Sequence, residues 1–369
     1  MKQPAAREWS DPFNSFNSLK GLLYRQWMEG ILAGEFLPPI EASIDPVYRC
    51  NVDCVWCNSR PPILHKEGKS GKKMSRDHLL RLTEFLGTWG VRGACYAGGG
   101  EPYVNRATSE SIVVAAQTGM EAAVLTNGSA MTDGDIETAV EHCRWIGVSI
   151  DTSNRDNYAQ IKQCSPKLFD RSVRVLQDLV TLRNERKSRL EISFKFLIHP
   201  ENAHTVFDSV QLAKDIGVDY IHIRPAASEN IHGGAEAAYA FPVDDVQSQV
   251  AKAFELEDEN FRVFGIRHKF SPSMNLARSF SRCLASALLI QLGADGNCYV
   301  CVDHRGKNPY VIGRHEPDPT AIQRWWGGEE HRRFIADVDV DRCPRCTFGP
   351  YNEIMERVIE SDAMCMNFP

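Results

Sequence analysis

The chain has 369 residues, 43% of them hydrophobic and 24% charged, with 42 Lys and Arg against 48 Asp and Glu for a net charge of −6. That composition excludes a disordered chain, and the length calls for a large domain with a smaller appendage. The acidic balance removes the electrostatic footprint of a nucleic-acid binder, no apolar run reaches the roughly 18–20 residues that span a bilayer, and residues 1–10 lack a secretory pattern, so a cytoplasmic protein is expected.

Residues 22–36 read as one amphipathic helix inside an N-terminal helical extension over 1–40. Six strand candidates follow, at 42–47, 94–97, 122–126, 145–150, 191–198 and 219–224. They alternate with stretches of helical spacing, the pattern of βα units on a parallel sheet. Ser75 is placed to cap a helix that carries Leu79, Leu82, Phe85 and Leu86 and stops before Gly87. Thr132 and Asp135 form a capping box for another, and a third runs through Val206, Val210, Leu212 and Ile216 to Gly217. Six units are too few for a closed eight-unit barrel. The expected fold is α/β, a partial (β/α)6 barrel over 41–258 with its chemistry at the carboxyl ends of the strands. From 259 to 369 the repeat breaks into short strand candidates at 262–266, 298–302 and 310–312 among Cys, Gly and Pro, a small domain that gains from a metal staple.

Twelve cysteines are many for a reduced cytosolic chain, and they fall in two groups, three at 50–57 and six at 283–365, with only Cys95, Cys143 and Cys164 between. Those three read as small buried hydrophobes. In Cys50-Asn-Val-Asp-Cys54-Val-Trp-Cys57 three thiolates lie on one loop after the first strand candidate. Three ligands leave one iron of a four-iron cube open, whereas a zinc knuckle would need a fourth ligand such as His65.

This spacing, with Trp56 before the third cysteine, resembles the CxxxCxxC signature of the radical S-adenosylmethionine superfamily. The resemblance implies a [4Fe–4S] cluster on Cys50, Cys54 and Cys57 whose open iron takes the methionine end of S-adenosyl-L-methionine, with Trp56 near the adenine. Gly98-Gly99-Gly100-Glu101-Pro102 resembles the GGEP motif of that family, in which Gly99 and Gly100 admit the methionine amino group and Glu101 supplies an acceptor. By itself the glycine run would be a tight turn. Ser149-Ile150-Asp151 is similar to the ribose-contacting segment, although Ser149 and Asp151 at a strand end equally suit a cap or turn. Thr126-Asn127-Gly128 resembles a turn common in the family.

Beyond the barrel, Cys283, Cys301, Cys343 and Cys346 resemble the ligands of twitch and SPASM auxiliary domains. The simpler twitch assignment implies one auxiliary [4Fe–4S] cluster on these four, with Cys298 and Cys365 as further candidates and structural zinc as the alternative. A full SPASM domain would continue with cysteines shortly after Cys346, and residues 347–364 contain none.

The family's chemistry is reductive cleavage of S-adenosylmethionine to a 5′-deoxyadenosyl radical, fed by a donor such as flavodoxin or ferredoxin. Net oxidation would also need a base, for which Lys195, His222, Arg224, Asp303 and His304 are candidates, Lys195 and Asp303 being the catalytic choices. Only about forty residues precede the first strand, too few for a peptide-leader module. The expectation is therefore a dehydrogenase of a small sugar, aminocyclitol or similar natural-product intermediate. The alternatives are radical modification of a peptide or protein, a redox-neutral epimerase, isomerase or decarboxylase, and a non-catalytic zinc-stapled binding protein.

Overall fold

The structure, a computed structural model, describes residues 18–57, 59, 71–226, 243–265, 278–343 and 346–360. Strands β1 (Glu41–Ile44), β2 (Gly93–Tyr96), β3 (Glu121–Thr126), β4 (Cys143–Ser149), β5 (Glu191–Ile198), β6 (Tyr220–Pro225) and β7 (Arg262–Gly265) pair in chain order, all parallel. Parallel neighbours need crossovers. These are supplied by α2 (Arg76–Trp89), α3 (Thr108–Gln117), α4 (Asp133–His142), α6 (Lys167–Arg186), α7 (Val206–Ile216) and α8 (Val243–Ala253), while α1 (Arg25–Ala33) precedes the sheet and α5 (Arg155–Lys162) follows β4.

One set of alternate strand residues, among them Ile44, Tyr96, Val124, Ile146, Val148, Phe194, Phe196 and Ile223, packs with the helices into the main core. Each such side chain, fully buried, contributes about 1.5–3 kcal/mol. The other set faces the inside of the open barrel and is partly polar.

The expected caps are present. Ser75 Oγ accepts from the His78 amide at 3.2 Å, Thr132 and Asp135 cap each other reciprocally, and α7 ends at Gly217 in the left-handed region. The helix expected to stop before Gly87 instead runs to Trp89 and is ended by Gly90, with φ of 110°. Gly87 serves a close approach rather than a stop, because a Cβ there would lie 2.1 Å from Thr118 Oγ1. The N-terminal stretch is not one helix but a 3-10 helix, Ser18–Tyr24, followed by α1. Trp27, Met28 and Ile31 bury against Leu284, Leu288, Ile335 and Met355, so the N-terminal segment completes the core of the C-terminal region.

The C-terminal elements also extend the same sheet, which has ten strands in the order β10-β9-β8-β1-β2-β3-β4-β5-β6-β7. The segment expected to open the small domain, at 262–266, joins β6 as β7. A strand absent from the sequence reading, β8 (Leu289–Leu292), runs parallel to β1 and leads into the antiparallel β9 (Asn297–Tyr299) and β10 (Val311–Arg314). All four residues of β8 are buried, so it lacks the alternation that marks a half-exposed strand. Among the described residues no helix is long and apolar enough to cross a membrane.

Candidate active site

The first cysteine loop leaves the carboxyl end of β1 and is fastened from two sides. The amides of Asp53 and Val55 donate to the carbonyls of Lys162 (2.8 Å) and Ile161 (3.0 Å), which the end of α5 would otherwise leave without partners. From the other side the Glu101 amide donates to the Arg49 carbonyl at 3.0 Å. Burial pushes the Cys50 thiol up, with Glu101 and the neighbouring thiols adding to the shift. Cys54 is pushed up to about 12 by burial, against the opposing pull of Lys162. Asn127 Nδ2 lies 3.8 Å from Cys50 Sγ and donates to Asn51 Oδ1 at 2.8 Å.

Buried thiols close enough to repel one another as thiolates suit a cationic centre that stabilises their deprotonated form. The donor set thus fits a cluster. His65 lies outside the described residues.

Gly98 to Gly100 form a strap lying against the base of this loop. A Cβ on Gly99 would meet the Tyr48 ring at 2.3 Å, and one on Gly100 would meet the Arg49 carbonyl oxygen at 2.4 Å. Gly100→Ala should therefore prise the strap from the cysteine loop and cost several degrees of Tm, read by thermal unfolding, together with lower iron uptake. Glu101 is buried, and its carboxylate accepts from Thr126 Oγ1 at 2.5 Å, the Asn127 amide at 2.8 Å and the Tyr103 amide at 3.3 Å. Burial still pushes it up to about 6. Much of its accepting capacity is spent tying the turn after β3 to the strap.

Asp151 sits in the left-handed region with φ of 65° and is wholly buried. Its carboxylate pairs with Lys162 and accepts from the Leu197 amide at 2.6 Å, while Asn202 Nδ2 donates to its carbonyl at 2.7 Å. The side chain thus serves an internal ion pair. Lys162 was not legible as a site residue, yet its ammonium lies 5.5 Å from the centre of the Trp56 ring and lowers the pKa of both Cys54 and Glu101. Trp56 is buried against Ile161 and Ala226, with the His199 ring 5.3 Å away. Lys162→Met would leave the Asp151 carboxylate buried and unpaired, and is expected to cost about 3–5 kcal/mol in denaturant unfolding.

On the inner face of the barrel Ser149, Lys195 and His222 stand side by side in register on β4, β5 and β6. Lys195 Nζ lies 3.4 Å from His222 Nδ1 and 5.3 and 5.2 Å from the Trp145 and Tyr220 ring centres. Burial, assisted by the Arg224 charge, lowers Lys195 to about 7. The ring faces favour the ammonium, but desolvation wins.

Cys283, Cys301, Cys343 and Cys346 gather around Phe280, Val300, Val338 and Val340. Burial is the main cause of the raised pKa of each, and neighbouring thiols of the set add to the shifts of Cys283, Cys301 and Cys346. Cys298, in β9, packs into the main core, and Cys365 lies outside the described residues. His304 stacks on Tyr310 at 3.6 Å with its Nε2 3.4 Å from Cys343 Sγ. Asp303 accepts from Thr347 Oγ1 at 3.0 Å, and its amide points at Cys301 Sγ, 3.4 Å away. Asp303 and His304 belong to the wall of this second thiol site rather than to the Lys195 row. Cys95 and Cys143 are buried and Cys164 half-buried.

The sequence profile of the Radical SAM superfamily matches residues 44–224, from the end of β1 into β6. A probable GTP 3′,8-cyclase of Saccharolobus solfataricus is 22% identical over 189 residues, which make up 50% of this chain and 56% of that protein. The chain thus spans about half the length of the curated relatives it matches. Among solved structures, SuiB of Streptococcus suis bound to precursor peptide SuiA superposes with a TM-score of 0.63 at 14% identity, over 98% of this chain and 82% of that one. Native anSMEcpe with bound AdoMet and Cp18Cys peptide superposes with a TM-score of 0.54 at 13% identity, over 86% of this chain and 88% of that one. At these identities the likeness is one of fold.

Proposed function

Because the chain belongs to the radical SAM superfamily, we propose that it is a dehydrogenase of a small polar metabolite, a sugar, aminocyclitol or similar intermediate, held against the inner face of the barrel. When bound, a [4Fe–4S] cluster on Cys50, Cys54 and Cys57 with S-adenosylmethionine supplies a radical that takes a hydrogen atom from substrate, and a second cluster on Cys283, Cys301, Cys343 and Cys346 supplies an acceptor for the electron left behind. We assign Ser149, Trp56 and the glycine strap to the cofactor side of this site. Glu101 and Lys162 fix the cysteine loop and strap around it.

The observation that carries the reading is Lys195, a buried amine lowered to about 7 inside the barrel. Near neutral pH a large fraction is unprotonated and can accept the proton that a two-electron oxidation releases. Asp303, hydrogen-bonded at the second thiol site, is assigned to support of that site.

The test is anaerobic turnover with candidate substrates, followed by mass spectrometry. Loss of two hydrogens per 5′-deoxyadenosine formed is expected. An unchanged substrate mass would replace dehydrogenation with isomerisation, and a modified peptide would replace the small substrate. Reconstituted protein should carry about eight irons for two cubane clusters. Stoichiometric zinc without iron would leave only a stapled binding protein.

A further inference from the structure

Arg305 ties the C-terminal region to the glycine strap. Its Nη1 donates to the Gly98 carbonyl at 3.0 Å, its Nη2 to Gln291 Oε1 at 3.2 Å, and its Nε lies 3.2 Å from Asp45 Oδ2. Asp45 is wholly buried at the carboxyl end of β1, and Arg305 is only 11% exposed. Burial pushes the Asp45 carboxyl up to about 6, while the guanidinium, the Gln291 side chain and the Gly99 amide oppose that shift. One buried ion pair therefore reaches consecutive residues of the strap: the arginine donates to the Gly98 carbonyl, and a Cβ on Gly99 would lie 3.1 Å from Asp45 Oδ2. A second tie runs in parallel. Tyr48, whose ring a Gly99 Cβ would strike, has its hydroxyl 3.5 Å from Asp295 Oδ1, and Tyr299 donates to Asp295 Oδ2 at 2.5 Å.

A run of three glycines has more backbone freedom than any other tripeptide and offers no side chains to hold its own shape. To present its peptide groups to a ligand it must be held from outside, or each binding event bears the ordering cost. Arg305 suits that task, because a planar guanidinium fixes several acceptors at once in set directions. The arginine itself leaves a short turn, Val302–His304, that begins at Cys301. There the His304 amide donates to the Cys301 carbonyl at 3.1 Å, and the Asp303 amide points at the Cys301 sulfur.

We propose that Arg305 is a positioning residue for S-adenosylmethionine: through Gly98 and Asp45 it holds the glycine strap in its binding shape, so the C-terminal segment that starts at Cys301 sets the cofactor affinity of the barrel. This rests on the reading of the strap as part of the cofactor site.

The test uses the reconstituted full chain under anaerobic conditions. Arg305→Met alone strands the Asp45 carboxylate and can simply fail to fold, so the deciding variant is Asp45→Asn with Arg305→Met, which removes both charges. Equilibrium binding of S-adenosylmethionine should weaken about ten- to a hundredfold, the range for losing charge-assisted hydrogen bonds. Amide hydrogen exchange at Gly99 to Glu101 should speed up in the cofactor-free protein, with iron content unchanged. Arg305→Lys should recover part of the affinity, since it restores the charge without the fork. A folded double variant with wild-type affinity and wild-type exchange overturns the proposal. If the wild-type chain takes up iron yet binds no S-adenosylmethionine, the functional reading fails, and the exchange rates still decide whether Arg305 holds the strap.

Discussion

A Cys54→Ala chain is expected to form no 5′-deoxyadenosine above background while remaining folded. Cys54 is the middle thiol of the loop, partly buried beside Trp56, Ile161 and Ala226. Losing its sulfur costs only about 1 kcal/mol of packing. Its chemical cost is larger. Two thiolates cannot hold a four-iron cube, so iron should fall from about eight to about four per chain, the remainder held at the second thiol site. Cys164→Ser is the control, because Cys164 interacts electrostatically with Cys54 but lies outside the loop. It should keep both iron and product. Wild-type 5′-deoxyadenosine from Cys54→Ala would sink the assignment of the cluster to this loop.

Lys195→Met is expected to lower substrate oxidation by about 10²–10⁴-fold, the range for loss of a positioned base. In the proposed reaction, cleavage of S-adenosylmethionine precedes the proton loss, so 5′-deoxyadenosine should still form and product and cleavage should come apart. In the wild type, oxidation should rise with pH through about 7, where Lys195 gives up its proton, and the Met variant should lose that limb. Stability carries the same signature. The folded-state pKa of Lys195 is lowered from 10.5 to about 7, so between these values the unfolded chain binds more protons and stability rises with pH. Below 7 both states hold the proton and the folded state must bury an ammonium. Relative to wild type, Lys195→Met should therefore be most stable near pH 6 and lose that advantage by pH 10, as denaturant titrations at the two pH values would show. Coupled rather than separated yields would remove Lys195 from the proton-transfer step.

The barrel strands were legible because each βα unit writes two periods into the chain, an apolar run and then a helical stripe. Strand β5 falls at Glu191–Ile198 in both readings. Caps were equally local, since Ser75, Thr132 with Asp135 and Gly217 act within a few residues of themselves. Gly87 misled for the opposite reason, its partner Thr118 coming from the next helix. The C-terminal strands were harder to read because they are short and β8 is buried throughout; they pair on beyond β1 in the same sheet.

By itself the sequence determined the superfamily, the two groups of thiols and the order of the βα units, because contiguous spacing and period carry that information. Only the tertiary structure decided which polar groups meet. It paired Lys162 with Asp151, set Lys195 beside His222, and brought Arg305 to Asp45 and Gly98. The physical reason is burial. Each of these charges owes its pKa or its partner to neighbours supplied by other strands and helices, and no residue's own stretch of chain records how deeply the fold will bury it.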